Sequence, residues 1–360
     1  MKKSLIALAV AGAVSAPAFA ATSNVDVYGV LNMGVFRVDS DVTGKDNSTS
    51  IVSNASRLGF KGSEDLGGGL AAIWQIESLI VADGSATSTL ANRNTFLGLK
   101  GGFGTVLAGI HDTPMKLLGR KLDNFGDTMA DSRNLLGATY SGGASAFDLR
   151  TKNTIAYVSP DFSGLTAAVA YIADHQAGVV TPTECATGLD CNTNDAWSAA
   201  VNYDNGPLML GAGYEKQNIS TGATVTQSRK MWRVIGGYSF GGAKLGALYE
   251  DGSADTGLAA ADRKAWGLFG NYAMGAVTLK ANYLKVDEAS NTSNTGAKQY
   301  TVGADYSLSK RTTAYALYAK VKNDSGAAFG LGNNSSASNT TVGNVGADPS
   351  VFGVGLKHSF

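Results

Sequence analysis

The sequence predicts an all-β chain folded as a 16-stranded antiparallel transmembrane β-barrel, and three observations carry that prediction. Short segments alternate apolar and polar residues, aromatic rings recur at the ends of the apolar parity, and the connections alternate between short and long. The alternation is plain at 165–171 (LTAAVAY), 197–203 (WSAAVNY), 266–272 (WGLFGNY), 277–283 (VTLKANY) and 300–306 (YTVGADY). Period two makes one sheet face apolar and the other wet, which a soluble sandwich would also show. The Tyr and Trp placement favours a bilayer, because amphipathic rings settle at its two interfaces.

Taken in order, the chain begins with an export signal at 1–20 and continues as one barrel domain over 21–360. Lys2 and Lys3 form the charged start, 5–14 the apolar stretch and Ala18-Phe19-Ala20 the small-x-small cleavage site. No later apolar run approaches the roughly 18 residues that a spanning helix requires. Charged residues make up only 16% of the chain, and mean hydropathy is near zero, as when the apolar and polar halves of a barrel cancel. Removing the signal leaves 27 basic against 29 acidic residues, a balance that gives no reason to expect a nucleic-acid partner.

The expected strands are 25–37, 51–63, 70–82, 92–102, 104–111, 152–158, 164–173, 196–204, 207–216, 228–240, 243–251, 262–272, 276–286, 298–306, 311–321 and 351–360. Short connections such as 102–103, 205–206 and 241–242 alternate with long polar ones at 38–50, 83–91, 112–151, 174–195, 217–227, 252–261, 287–297 and 322–350. Short turns on one side and long loops on the other is the topology of a bacterial outer-membrane barrel. An even count puts both chain ends on the short-turn side, so the last strand can close on the first. Cys185 and Cys191 lie close together in the fourth long loop, where an exported chain is expected to pair them as a disulfide. The last strand places Phe352, Val354, Leu356 and Phe360 on one parity, and the chain stops on that Phe. A terminal aromatic on an amphipathic strand resembles the signal read by the outer-membrane barrel-assembly machinery.

Several motifs resemble general diffusion porins. Val25-Asp26-Val27-Tyr28-Gly29 is similar to their first strand. Ser56-Arg57-Leu58-Gly59-Phe60-Lys61-Gly62, followed by Leu70-Ala71-Ala72-Ile73-Trp74-Gln75-Ile76-Glu77, is similar to the second and third. Asn92-Arg93-Asn94-Thr95-Phe96-Leu97-Gly98-Leu99-Lys100 and the following 104–109 resemble the fourth and fifth. The similarity spans the mature chain and is strongest toward porins of β-proteobacteria. It implies a homotrimer in outer-membrane lipid, passing small hydrophilic solutes and ions, with the third long loop folded inward to narrow the channel. That loop would be 112–151, whose 40 residues show no strand pattern.

Strand phase then sorts the charges. Leu58 and Phe60 point out, so Arg57 and Lys61 point in; Trp74 and Ile76 point out, so Gln75 and Glu77 point in. Ile155 and Tyr157 on the outside would turn Arg150 and Lys152 inward. In the fourth strand Phe96 and Leu97 are adjacent, so the strand is apolar on both faces, as beside another subunit or beneath an inward loop. There only the resemblance sets Arg93 on the lumen. It further implies a cationic wall, here Arg57, Lys61, Arg93 and Arg150, facing loop carboxylates, here Asp123, Asp127 and Asp131. Two positions depart from the enterobacterial pattern: its Pro-Glu-Phe reads Asp123-Asn124-Phe125, and its first-strand lysine corresponds to Val30. With the loop near neutral, local charge leans positive and a mild anion preference is expected.

Three other functions compete. A barrel hydrolase needs a nucleophile beside a base, and the chain has only His111, His175 and His358, none at a recognisable spacing. A substrate-specific channel would carry a file of inward aromatics, and phase assigns only Phe269 and Tyr318 to that side. An adhesin would need a loop long enough to form a binding domain, and none is, although the Gly/Asn/Ser-rich 322–350 is expected as an exposed epitope. There is no phosphate-binding loop, metal cluster or cofactor motif, so no enzyme activity and no cofactor is expected.

Overall fold

The computed structural model describes residues 24–42, 44, 47–84, 88–137, 146–173, 194–220, 226–255, 262–290, 292–332 and 344–360. The export signal, His175 and both cysteines lie outside the described residues. Seventeen hydrogen-bonded segments form one antiparallel sheet. The first eight are β1 (Asn24–Asp39), β2 (Ser48–Ser53), β3 (Arg57–Gly67), β4 (Leu70–Leu79), β5 (Thr95–Gly101), β6 (Gly104–Asp112), β7 (Arg150–Val158) and β8 (Leu165–Ile172). Then come β9 (Ala196–Asn205), β10 (Leu208–Ser220), β11 (Thr226–Phe240), β12 (Ala243–Ala254), β13 (Arg263–Met274), β14 (Val277–Val286), β15 (Ala297–Ser307), β16 (Thr312–Asn323) and β17 (Ser350–Ser359).

β2 and β3 both pair with β1, Met33 opposite Ser53 and Val30 opposite Arg57, so they are two halves of one spanning strand. The barrel therefore has the expected 16 staves. Between the halves Ala55 sits at φ 52°, and Ser56 Oγ accepts from the Asn32 backbone N–H at 2.9 Å, so the break keeps its backbone group satisfied. Closure comes from β1 and β17, paired in register from Val30–Ser359 to Asp39–Ser350. Past that ladder, Gly29 and Phe360 exchange backbone hydrogen bonds of 3.0 and 3.1 Å, and the terminal ring covers Gly29, which leaves no space for a β-carbon there.

Outward residues follow the expected parity. Phe352, Val354, Leu356 and Phe360 are all exposed, as are Phe60, Leu97, Ile155 and Trp197. Two assignments are corrected. Tyr318 is outward, level with Val302 and Phe352, because Leu317 and Ala319 take the buried inward positions; Tyr315 is the aromatic that faces in. Lys152 is also outward: the β6–β7 register slips between Gly109 and His111, Asn153 has φ 51°, and the slip flips the strand's phase. Phe96 does point inward, half-buried against the interior cluster of Leu107, Ala156, Ala170, Ile172 and Ala196. That packing explains the apolar second face of β5.

The long connection between β6 and β7 lies inside the barrel. Thr113 caps a short helix α1 (Pro114–Arg120), accepting from the Lys116 N–H, with Pro114 opening the first turn. Leu118, Leu122, Phe125, Met129, Leu135 and Leu136 are buried against inward residues of the wall, including Ile235, Leu248, Leu284 and Leu317. The wall makes room with glycines: a β-carbon on Gly246 would collide with Leu122, and one on Gly303 would stand 2.8 Å from the Phe125 ring. Each such side chain removed from water contributes about 1.5–3 kcal/mol, so the loop holds to the wall as a core and not as a tether. The last long loop also turns in: Phe329 and Leu331 are fully buried, and Gly332 donates to the Met129 carbonyl at 2.9 Å. Its described part is therefore not the exposed epitope that its composition suggests.

Candidate functional site: the charged constriction

The inward loop is tied to the far wall by polar contacts running from β9 to β15. The Met115 N–H donates to Ser198 Oγ, and Lys121 pairs with Asp204 at 2.5 Å. Asn124 donates to Asn282 and accepts from Asn271, while Gln299 donates to the Ala130 carbonyl. The strongest tie is Arg233 on β11, fully buried, which bonds Asp148 at 2.7 Å and Glu250 at 2.6 Å and also donates to the Met115 carbonyl at 3.0 Å. Glu250 in turn accepts from the Gly137 N–H. One guanidinium thus joins both ends of the loop to the wall.

On the opposite side stand the predicted basic residues. Arg57 and Arg93 flank Glu77, with Arg93 Nε at 2.6 Å and Arg57 Nε at 3.7 Å from its carboxylate; Tyr28 donates to the same group at 3.0 Å. Arg150 reaches Asp112 at 3.1 Å and Asn94 at 2.8 Å, and Lys116 pairs with Asp112 at 2.8 Å. Lys61 lies four residues beyond Arg57 along β3 toward the short-turn rim, its Nζ 5.4 Å from the Tyr28 ring centre. The wall is therefore not purely cationic: Glu77 and Asp112 are built into it. Phase placed Glu77 inward, but its pairing depends on the register of its flanking strands, and Asp112 ends its strand next to a slip in register.

The three loop carboxylates differ. Asp127, at the loop tip with φ 62°, is the one that meets the wall: it pairs with Arg57 at 3.3 Å and with Arg120 at 2.9 Å. Burial pushes its pKa up, but Arg120 and Arg57 outweigh that and hold it at about 2. Asp131 is fully buried and does not face the lumen; it caps the short turn Ser132–Asn134 and grips Arg133 at 2.6 Å, and although burial raises its pKa, Arg133 brings it below normal. Asp123 accepts from the Phe125 and Ser132 N–H groups and from Asn282, and burial together with the nearby Asp131 raises its pKa. Lys116 is brought down to about 8 by burial, which Asp112 only partly offsets. Arg120, Arg233, Lys280 and Lys357 also belong to the site, with no role expected from the sequence. For α1, which carries Arg120, there was a local signal, Thr113-Pro114, the residue pair that starts helices; Arg233 and Lys280 pair with acids on the adjacent strand, which parity alone does not reveal.

Below the loop tip a lumen cavity of about 480 Å³ is lined by the loop and by β1 and β14–β17. Its bases are Arg57, Arg120, Lys280, Lys310, Arg311 and Lys357, against the acids Asp123, Asp127 and Asp305. Lys280 neutralises Asp305 at 2.7 Å, whereas Lys310, Arg311 and Lys357 have no ion-pair partner among the described residues. A permeating ion here meets net positive charge.

Comparison with known proteins agrees with this architecture. The profile of the Gram-negative porin family matches residues 7–326. The chain belongs to that family. Outer membrane porin protein 32 of Delftia acidovorans is 31% identical over 368 residues, covering all of both chains. The major outer membrane protein P.IB of Neisseria lactamica is 30% identical, over 87% of this chain and 91% of its own. Among solved structures, an anion-selective porin from Comamonas acidovorans superposes with a TM-score of 0.80 at 26% identity, covering 94% of this chain and all of that one. The outer membrane protein OmpT of Vibrio cholerae in its trimer form shares the fold, with a TM-score of 0.67 at 19% identity over 94% of this chain and 99% of that one. This porin resides in the outer membrane and forms a water-filled channel for passive diffusion of small hydrophilic solutes and ions.

Two predictions follow from the geometry of the porin's loop. Arg233→Met strands Asp148 and Glu250 without their guanidinium, a loss of about 3–5 kcal/mol that falls on loop docking. The variant should still assemble, but with larger and noisier single-channel currents; a current trace like the native one would contradict the tie. Asp127 has its folded pKa depressed, so its stabilising bond is complete above about pH 4, the unfolded value, and is lost as pH falls through about 2. The selectivity difference between native protein and Asp127→Asn should accordingly persist at pH 4, fall by about half near pH 2 and vanish below it, as read from zero-current potentials.

Proposed function

We propose that this porin favours small anions and works as a homotrimer without catalytic activity. The observation carrying the first part is the cavity lining, whose three unpaired bases sit just below the constriction. The wall at Arg57, Arg93 and Arg150 adds four bases with Lys116 against Glu77 and Asp112. Lys61 adds a solvated charge nearer the rim. The similarity to a porin described as anion-selective supports the same reading. Asp127 is the loop acid assigned to the transverse field, while Asp123 and Asp131 serve to hold the loop in shape.

The trimer reading is supported by a gap in the outer aromatic row. On the long-loop side this row includes Trp197 and four pairs of rings that stand opposite one another in the register: Tyr214 and Trp232, Tyr249 and Trp266, Tyr283 and Tyr300, Tyr318 and Phe352. On β1–β7 the outward positions toward that side carry mostly aliphatics such as Val35, Ile51, Leu97 and Ile155, with Arg37 level with Phe352 and Trp74 level with Leu97. A sector this poor in interfacial rings suits contact with another subunit better than contact with lipid. The export signal at 1–20, the Cys185–Cys191 bond and recognition of Phe360 by the assembly machinery complete the proposal.

Replacing Arg57 and Arg93 together by Ser should move the zero-current potential in a salt gradient toward cations and leave the assembled barrel intact. A native channel that is already strongly cation-selective, or a double variant that shifts nothing, would overturn the placement of the arginines. The trimer has its own check: light scattering of unheated protein in mild detergent should give three chains per particle, and a uniform monomer would refute it.

A further inference from the structure

The break between β2 and β3 lies directly before Arg57, the base that meets Asp127 across the channel. Ser53, Asn54, Ala55 and Ser56 are all buried there, where a regular strand would alternate its faces. Ala55 takes the left-handed conformation, φ 52°, which a non-glycine residue holds only where its surroundings enforce it. Its carbonyl turns onto the arginine. Arg57 Nη1 donates to it at 3.3 Å, and the same atom reaches Asp127 at 3.3 Å. One end of the guanidinium is thus held by a backbone group whose direction the break determines.

Two groups of contacts enforce the break. From the segment after β4, the Ile80 N–H donates to the Ser56 carbonyl at 2.7 Å, and the Asp83 carboxylate accepts from the Ser53 N–H at 2.8 Å. From β1, the Asn32 carbonyl accepts from the Asn54 N–H at 2.8 Å, and the Asn32 N–H donates to Ser56 Oγ. This second group ends on a side chain of β16, on the far side of β17 and β1. Tyr315 Oη donates to Asn32 Oδ1 at 2.8 Å and accepts from Asn54 Nδ2 at 3.1 Å. Glycines give it that reach. Tyr315, Gly355 and Gly34 stand level in register, and the ring lies over Gly355, which leaves no space for a β-carbon there. Asn32 and Asn54 are buried, and Asn54 Oδ1 has no hydrogen-bond partner among the described residues. The tyrosine hydroxyl therefore supplies the side-chain hydrogen bond of the Asn54 amide.

We propose that Tyr315 is a positioning residue for Arg57, and through it a determinant of ion preference. By tying Asn32 to Asn54 it fixes the break, and the break sets where the guanidinium stands in the channel. Without the hydroxyl, two buried amides lose a partner, which costs free energy unless they find water. Water is close, because Asn32, Arg57 and Tyr315 all line the lumen cavity. Residues 54–57 then shift to reach it, Arg57 draws back from the narrowest section, and the field there weakens. The inference rests on the proposed part of Arg57 in ion preference, and an Arg57→Ser channel separates the two.

The test reads zero-current potentials of the full mature porin in planar bilayers under a potassium chloride gradient. Four channels are compared: native, Tyr315→Phe, Arg57→Ser and the double variant. Phenylalanine keeps the ring over Gly355 and removes only the hydroxyl, so the barrel should assemble. Tyr315→Phe should move the potential toward cations by about half the shift of Arg57→Ser. On the Arg57→Ser background the same substitution should add nothing, as when one residue acts through another. Tyr318→Phe, the same change on the outward face, should match the native channel. An unchanged potential in Tyr315→Phe beside a shifted Arg57→Ser overturns this inference and leaves the arginine placement standing. Equal shifts with and without Arg57 would mean that the hydroxyl acts on ions directly, and they overturn it too. If Arg57→Ser itself shifts nothing, the arginine placement and this inference fall together. Should Tyr315→Phe not assemble, Asn54→Ala, which removes the other end of the bond, is read by the same criteria.

Discussion

Backbone hydrogen bonding in a solvent without partners is the constraint from which the rest of this porin follows. A sheet edge left open in hydrocarbon would expose a row of unpaired N–H and C=O groups, so the first and last strands must meet. Here they meet through ten register pairs between β1 and β17, extended by the exchange between Gly29 and Phe360. Sixteen staves closed this way enclose more space than wall side chains can fill. An interior that wide is either open water or must be occupied by chain.

This chain does both. One side of the lumen is filled by the loop between β6 and β7, which brings its own apolar side chains to a wall shaped to receive them. Gly246 and Gly303 leave room for Leu122 and Phe125, and Arg233 gathers Asp148, Glu250 and the Met115 carbonyl where no water competes. The other side stays wet and basic. Asp127 reaches across between Arg57 and Arg120, so the narrowest part is defined by a charge pair and not by bulk. The polar half of the strand pattern is thus divided between a conducting surface and a docking surface.

Much of this was legible in the sequence because a barrel strand has a strict period. The sixteen staves, the alternation of short and long connections, and the outward face of the last strand all follow from parity and turn residues. Parity fails where the ladder slips. One extra residue near Gly109 sends Lys152 outward, and the break at Asn54–Ser56 splits a stave in two. In β16 the presence of aromatics on both faces, Tyr315 and Tyr318, concealed which one turns in. The ion pairs were the least legible part. Glu77 meets Arg57 from β3 and Arg93 from the residues leading into β5, and Arg233 faces Glu250 directly in register. Period two gives a side and no register, so it does not say which inward charges meet. Asp148, 85 residues from Arg233, has no local signal at all. Asp131 looked like Asp127 in sequence, but one caps a buried turn and the other crosses the channel.

The central claim is that the long loop belongs to the barrel interior. Backbone hydrogen–deuterium exchange on the folded protein tests it directly. Amides of residues 115–136 should exchange slowly, at rates comparable to the strands they pack against, because they are buried and bonded to β9–β15. Exchange as fast as that of a solvent-exposed loop would contradict the account.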